Sequence, residues 1–269
     1  MKIRSCLGLA VVLLLLISPR TTRAQDDIAD VPALDLTIAN EPKQCYFLIG
    51  DTKNAPENGF GLLLVLPGGD GSAEFHAFVK RIYKNALSEG YLVAQLVAVP
   101  SNNTRQIVWP TAKAKDAKQT FTTESFIANV VGEVKAKHKI DAARVFTLSW
   151  SSGGPAAYAA SLAKDTAIKG SLVAMSVFPL NDLKPLTAAK GQKYFLLHSP
   201  QDKTCPYFHT RMAKTQLTNA GAAVEVKDYE GGHGWHGNIW GNIAAGIEWL
   251  QTTKTPATTR PPTSQPVER

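Results

Sequence analysis

From about residue 60 to residue 251 the chain alternates short aliphatic runs with longer segments whose apolar residues recur every three or four positions. That alternation restricts the fold sharply, because a strand can lie parallel to its neighbour only after a crossover, and a helix is the usual one. The runs fall at 61–66, 91–99, 145–148, 172–177, 194–198 and 223–229, with an earlier one at 43–50. The helical segments fall at 73–88, 122–138, just after Ser151, at 206–219 and at 239–251. In the first of these, Phe75, Phe78, Val79, Ile82, Tyr83 and Leu87 share one face and Gly90 supplies the stop. The run at 61–66 is apolar throughout, as a strand covered on both faces requires. The expected fold class is therefore α/β, a mostly parallel central sheet with helices on both faces. In such sheets ligands bind beyond the carboxyl ends of the strands.

The chemistry-bearing residues cluster at those ends. Val-Phe-Thr-Leu-Ser-Trp-Ser-Ser-Gly-Gly-Pro-Ala-Ala, residues 145–157, reads as a strand, a sharp turn and a helix, with Ser151 at the apex. A nucleophile elbow needs this arrangement: small residues permit the tight backbone, and the following helix turns its amides toward the site. The usual G-x-S-x-G pattern reads Ser149-Trp150-Ser151-Ser152-Gly153 here, a serine replacing the first glycine. Pro67-Gly68-Gly69-Asp70-Gly71 follows the strand at 61–66, and glycines there let backbone amides face an incoming group. The expected oxyanion hole is made by the amides of Gly69, with Asp70 as neighbouring candidate, and of Ser152.

A serine nucleophile needs a base, and the base an orienting carboxylate. His233 lies among glycines in Gly231-Gly232-His233-Gly234 after the last strand; His236 is the runner-up. Asp202 follows the strand at 194–198, where the order Ser…Asp…His places the acid, with Asp182 and Asp228 competing. His198 is expected to pack or hydrogen-bond near the acid loop. Asp70, Trp109, Trp150 and Trp235 are candidate pocket residues, and for Trp109 a core-capping role competes. No Cys/His spacing suggests a metal site, and the chemistry requires no cofactor.

With Leu66-Pro67-Gly68-Gly69-Asp70-Gly71, Trp150-Ser151-Ser152-Gly153-Gly154, the Asp202 loop and Gly232-His233-Gly234 in view, residues 43–251 resemble the α/β-hydrolase fold. They resemble in particular secreted esterases of the polyhydroxybutyrate depolymerase/feruloyl esterase and phospholipase/carboxylesterase types. Pro67 stands where relatives often have histidine, and Ser199 where they often have glycine before the acid. The resemblance implies a serine esterase acting through an acyl-enzyme on a small-molecule or polymer-linked ester. A peptidase on the same fold and a non-catalytic hydrolase-fold binding protein are the competing readings.

The ends of the chain carry other signals. Residues 1–24 have Lys2 and Arg4, then an apolar core at 6–18, then Thr22-Arg23-Ala24, as a secretory signal does. The core is too short to span a bilayer comfortably. Export to the periplasm or medium is expected, with no stable membrane anchor after processing. Residues 25–42 read as a polar lead-in and 252–269, with four prolines, as a disordered tail. The formal charge of +7 loses four cations with the signal and a net two with the tail, leaving the folded body near +1. No Lys/Arg block interleaved with aromatics points to nucleic acid. Cys45 and Cys205 survive processing, either as a disulfide or as two separate thiols.

Overall fold

The computed structural model describes residues 27–99, 107–115 and 119–252. The signal segment at 1–24 and residues 253–269 of the tail lie outside the described residues. Among those described, eight strands form one sheet: β1 (Ala33–Ile38), β2 (Glu41–Ile49), β3 (Phe60–Leu66), β4 (Tyr91–Leu96), β5 (Ile140–Trp150), β6 (Gly170–Ala174), β7 (Lys193–His198) and β8 (Ala223–Asp228). Their spatial order is β1-β2-β4-β3-β5-β6-β7-β8. β1, β2 and β4 pair antiparallel, and every pairing from β4 through β3 to β8 is parallel.

The helices are α1 (His76–Ala86), α2 (Thr123–Lys137), α3 (Gly154–Ser161), α4 (Leu180–Leu183), α5 (Phe208–Asn219) and α6 (Ile239–Gln251). Period-two alternation along β3 sends Leu63 and Val65 to one face and Leu62, Leu64 and Leu66 to the other. The first set packs with Val79 and Ile82 of α1 and Ile243 and Ile247 of α6. The second packs with Phe126, Val130 and Val134 of α2 and Ala156 of α3. All seven residues of β3 are buried, as a strand between two helical layers must be. The α2 start is set by Thr122, whose side chain accepts from the Ser125 amide while Ser125 bonds back.

Three segments differ from expectation. Residues 33–38, read as lead-in, form the edge strand β1, mostly exposed and paired with β2 alone. β6 stops at Ala174 rather than 177, because Met175 turns the backbone to φ 40°. The 179–192 insertion folds into α4 and a 3₁₀ turn at Leu186–Ala189.

This topology positions the site. β3 leads through α1 to β4 on one side, and the chain then crosses to α2 and β5 on the other. The loops after β3 and β5 diverge, and a crevice opens between the carboxyl ends of these paired strands.

Candidate active site

The turn at the end of β5 is tight. Trp150 is extended, Ser151 has φ 50°, and a 3₁₀ turn over Ser151–Gly153 runs into α3, where Pro155 occupies the first turn. A non-glycine residue in the left-handed region stores roughly 1–3 kcal/mol and persists only where its surroundings over-determine it. Here the surroundings do so: the Ser176 hydroxyl donates to the Ser151 carbonyl at 2.6 Å, and the Ser152 hydroxyl donates to the Gly69 carbonyl at 2.8 Å. The second bond ties the elbow to the loop after β3.

In that loop Gly69 and Gly71 have positive φ, and the Gly71 amide closes a turn on the Gly68 carbonyl. Gly68 lies against Trp150, where a Cβ would come within 2.5 Å of the indole. No protein group among the described residues accepts from the Gly69 amide. The Ser152 amide sits in the first turn before α3, where amides lack intrahelical partners. Asp70 is exposed and turns its carboxylate onto the Ser72 amide, which holds its pKa below the usual value.

Three loops bring the remaining groups together. His233 Nε2 lies 3.1 Å from Ser151 Oγ, and its Nδ1 lies 2.8 Å from Asp202 Oδ2. The Asp202 side chain is fully buried, whereas about a quarter of the His233 side chain is exposed. Asp202 Oδ1 accepts from the amides of Thr204 and Cys205, each at 2.8 Å. Burial works against the Asp202 carboxylate, but His233 and these two amides outweigh it and hold its pKa below the ordinary range.

The histidine loop is strapped from below. The Gly232 amide donates to Ser199 Oγ, that of Gly231 to Gln201 Oε1 and that of Gly234 to Met175 Sδ, while the Tyr229 hydroxyl donates to the Gly234 carbonyl at 2.8 Å, with the Gly232 carbonyl at 3.2 Å. Ser199, where relatives often carry glycine, thus joins the acid loop to the histidine loop. Sequence reasoning had no signal for this strap, nor for Met175.

The competing residues sit elsewhere. His236 is exposed, with its ring beside Tyr229. Asp228 accepts from the Tyr207 hydroxyl at 2.6 Å. Asp182, on α4, lines a pocket of about 260 Å³ that opens beside Ser152. Its other walls include Val108, Trp109, Pro155, Ala159 and Leu183. Of the four candidate pocket residues, Trp109 alone lines this pocket, and its indole also donates to the Pro67 carbonyl at 2.9 Å. Trp150 is instead a core residue beneath the elbow, edge-on to Phe75, Phe78 and Trp235, and Trp235 packs with it rather than on this pocket. Asp70 is spent on its own turn.

Cys45 and Cys205 are both free. Cys205 is buried behind Asp202, and burial together with that carboxylate pushes its thiol up to about 11. Among the described residues no three His, Cys, Asp or Glu side chains gather as a metal site would need, and no helix is long and apolar enough to cross a membrane.

A mostly parallel eight-stranded sheet, with a strained serine, a histidine and a buried carboxylate meeting at its topological switch, defines an α/β hydrolase. Solved structures agree on the fold. An α/β-hydrolase enzyme from a Medee basin deep-sea metagenome library superposes with TM-score 0.59 at 14% identity, covering 82% of this chain and 96% of that one. A Mesorhizobium loti carboxylesterase gives 0.59 at 16%, covering 82% and 98%. A Bacillus cereus carboxylesterase gives 0.55 at 16%, covering 82% and 94%. No curated protein matches the chain by sequence. The phospholipase/carboxylesterase family model matches residues 107–248, and the chain belongs to that family. It is an ester hydrolase.

Proposed function

We propose that the protein is an exported serine carboxylesterase in which Ser151 is the nucleophile, His233 the general base and then acid, and Asp202 the orienting carboxylate. The observation that carries this reading is the unbroken line from Ser151 Oγ through His233 to Asp202, at 3.1 and 2.8 Å. His233 takes the serine proton as Oγ attacks the ester carbonyl, and returns it to the leaving alkoxide. Asp202 accepts from Nδ1–H, which leaves the Nε2 lone pair facing the serine and steadies the imidazolium that forms. Amides of Gly69 and Ser152 hold the oxyanion, a contribution of about 2.7–4 kcal/mol per donor. Water activated by His233 then releases the acyl group.

The pocket beside Ser152 supports a small or flat apolar group on one side of the ester. Thr111, Ala159, Asp182 and Leu183 line both it and a neighbouring outer hollow bearing Lys113, Lys164 and Lys184, whose polar rim suits a hydroxylated remainder. Short-chain esters and esters linked to polysaccharide fit that division. Export rests on the signal-like residues 1–24, and amino-terminal sequencing of protein recovered outside the cytoplasm tests it.

The first experiment is hydrolysis of a p-nitrophenyl ester series beside Ser151→Ala. Loss of a triad serine removes most of the catalytic advantage, so turnover falls by at least roughly three orders of magnitude. Activity that survives in Ser151→Ala overturns the assignment of the nucleophile.

A further inference from the structure

Asp202 is held by two imidazoles, and the second is the more deeply buried. His198, the last residue of β7, is 1% exposed. Its Nε2 lies 3.1 Å from Asp202 Oδ2, the same oxygen that His233 approaches, and 2.9 Å from the Cys205 carbonyl oxygen. Its Nδ1 lies 2.6 Å from the Thr210 hydroxyl.

The surroundings decide the tautomer. Two oxygens that can only accept face Nε2, so Nε2 must carry hydrogen, since a lone pair there would confront both. The hydroxyl facing Nδ1 can donate, so Nδ1 accepts from Thr210. Burial lowers the His198 pKa, which keeps that ring neutral.

We infer that His198 is a positioning residue: its Nε2–H and the amides of Thr204 and Cys205 fix both oxygens of Asp202, so that the carboxylate meets His233 at one angle and with a tempered basicity. This rests on the triad reading above. Three side chains in a row, Thr210, His198 and Asp202, then extend the line behind the reacting groups. The Nε2–H is shared: its shorter arm, to the Cys205 carbonyl, holds the loop, and its longer arm reaches Oδ2. Oδ1 already pins the acid loop through two amides, so the bond to Oδ2 acts on the atom that His233 uses.

Removing the His198 donor has two consequences with definite signs. The Asp202 carboxylate, freed of one donor, attracts the His233 imidazolium more strongly, so the acid limb of kcat/KM moves to higher pH. It also loses its fixed angle, so kcat falls with little change in KM. The titratable groups around His198 that could contribute are Asp202 and Cys205 of the acid loop, Tyr207 ahead of α5, Tyr229 and His233, with Asp228 reached through Tyr207.

The test compares His198→Phe, which keeps a ring without donors, with His198→Gln, whose amide nitrogen can reoccupy the Nε2 position. Each is assayed on p-nitrophenyl acetate across pH 5–9, with thermal melts and the Ser151→Ala control. The expected result for His198→Phe is a kcat lower by about tenfold to a hundredfold, the scale of a misplaced catalytic group, with the acid limb displaced upward. In His198→Gln the limb returns toward the wild-type position. A folded His198→Phe with the wild-type limb and kcat overturns the inference, because a packing role alone lowers the melting temperature without moving the profile. Should His198→Phe not fold, His198→Met decides, since it fills the site without a donor at the Nε2 position. An upward displacement of the acid limb supports the inference, and none overturns it. Activity that survives Ser151→Ala instead strikes the triad reading itself.

Discussion

Ser149 and Gly153 occupy the two positions that are glycine in the usual elbow, and the structure treats them differently. A Cβ at 153 would stand 2.3 Å from the Leu66 carbonyl oxygen, a backbone atom that cannot give way, so glycine is required there. Position 149 has no such neighbour. Ser149 is the buried penultimate residue of β5, registered between Leu66 of β3 and Val173 of β6. Its departure from glycine therefore leaves the turn intact. The Ser149 hydroxyl, however, is buried with no hydrogen-bond partner among the described residues. An unsatisfied buried hydroxyl costs about 1–3 kcal/mol, whereas its Cβ packs favourably. Ser149→Ala is thus expected to raise the unfolding free energy by about 1 kcal/mol. Urea unfolding with an unchanged slope measures this. A loss of stability would show that the hydroxyl makes a bond the enzyme needs.

At the scale of elements, α3 serves two sites at once. The 3₁₀ turn that leads into it presents the Ser152 amide, and about two turns later Ala159 lines the pocket beside it. If the ester's apolar group lies there, Ala159→Leu fills the space while leaving the elbow untouched. The expected outcome is a loss of about tenfold or more in kcat/KM for p-nitrophenyl butyrate and longer esters, the usual effect of one badly placed aliphatic group. Acetate hydrolysis should change far less, and a uniform loss across the series would place the acyl group elsewhere. Elements such as α3 were legible in the sequence because burial leaves a mark on it: β3 is continuously apolar, and α1 and α2 repeat every three or four residues. β1 was not legible, since an exposed edge strand paired on one side needs no buried run. Ser151, Asp202 and His233 are proposed from chain order, each falling just after a strand, and the fold brings their side chains within hydrogen-bond distance. Which tryptophan reaches the pocket could not, because Trp109 and Trp150 differ only in how loops from β3, β4 and β5 meet. The bond from His198 to Asp202, and the strap through Ser199, likewise depend on loops distant in sequence.

For the whole molecule, two histidines tie folding to pH in the same direction. His198 is buried at the end of β7 against the acid loop, and His76 is half-buried against Phe47 with Gln95 on its Nδ1. Burial lowers both pKa values below the ordinary 6.5. As pH falls below that value the unfolded chain takes up protons that the folded chain refuses, so stability rises with pH across this range and drops on acidification. Asp202, whose carboxyl is depressed below 3.8, adds a second loss only at much lower pH, as the native carboxylate is finally protonated. The expected curve is a melting temperature that is flat near pH 7–8 and declines as pH falls from about 6.5, where the unfolded-state histidine titrates. His76→Gln removes one of the two groups without touching the proposed catalytic line, so its decline should be shallower than that of wild type. Melting curves recorded from pH 4 to pH 8 in buffers of matched ionic strength measure both slopes. Identical slopes would mean that His76 protonates as freely in the folded protein as in the unfolded chain, and would assign the acid sensitivity to the β7 end of the sheet, where His198 and Asp202 meet.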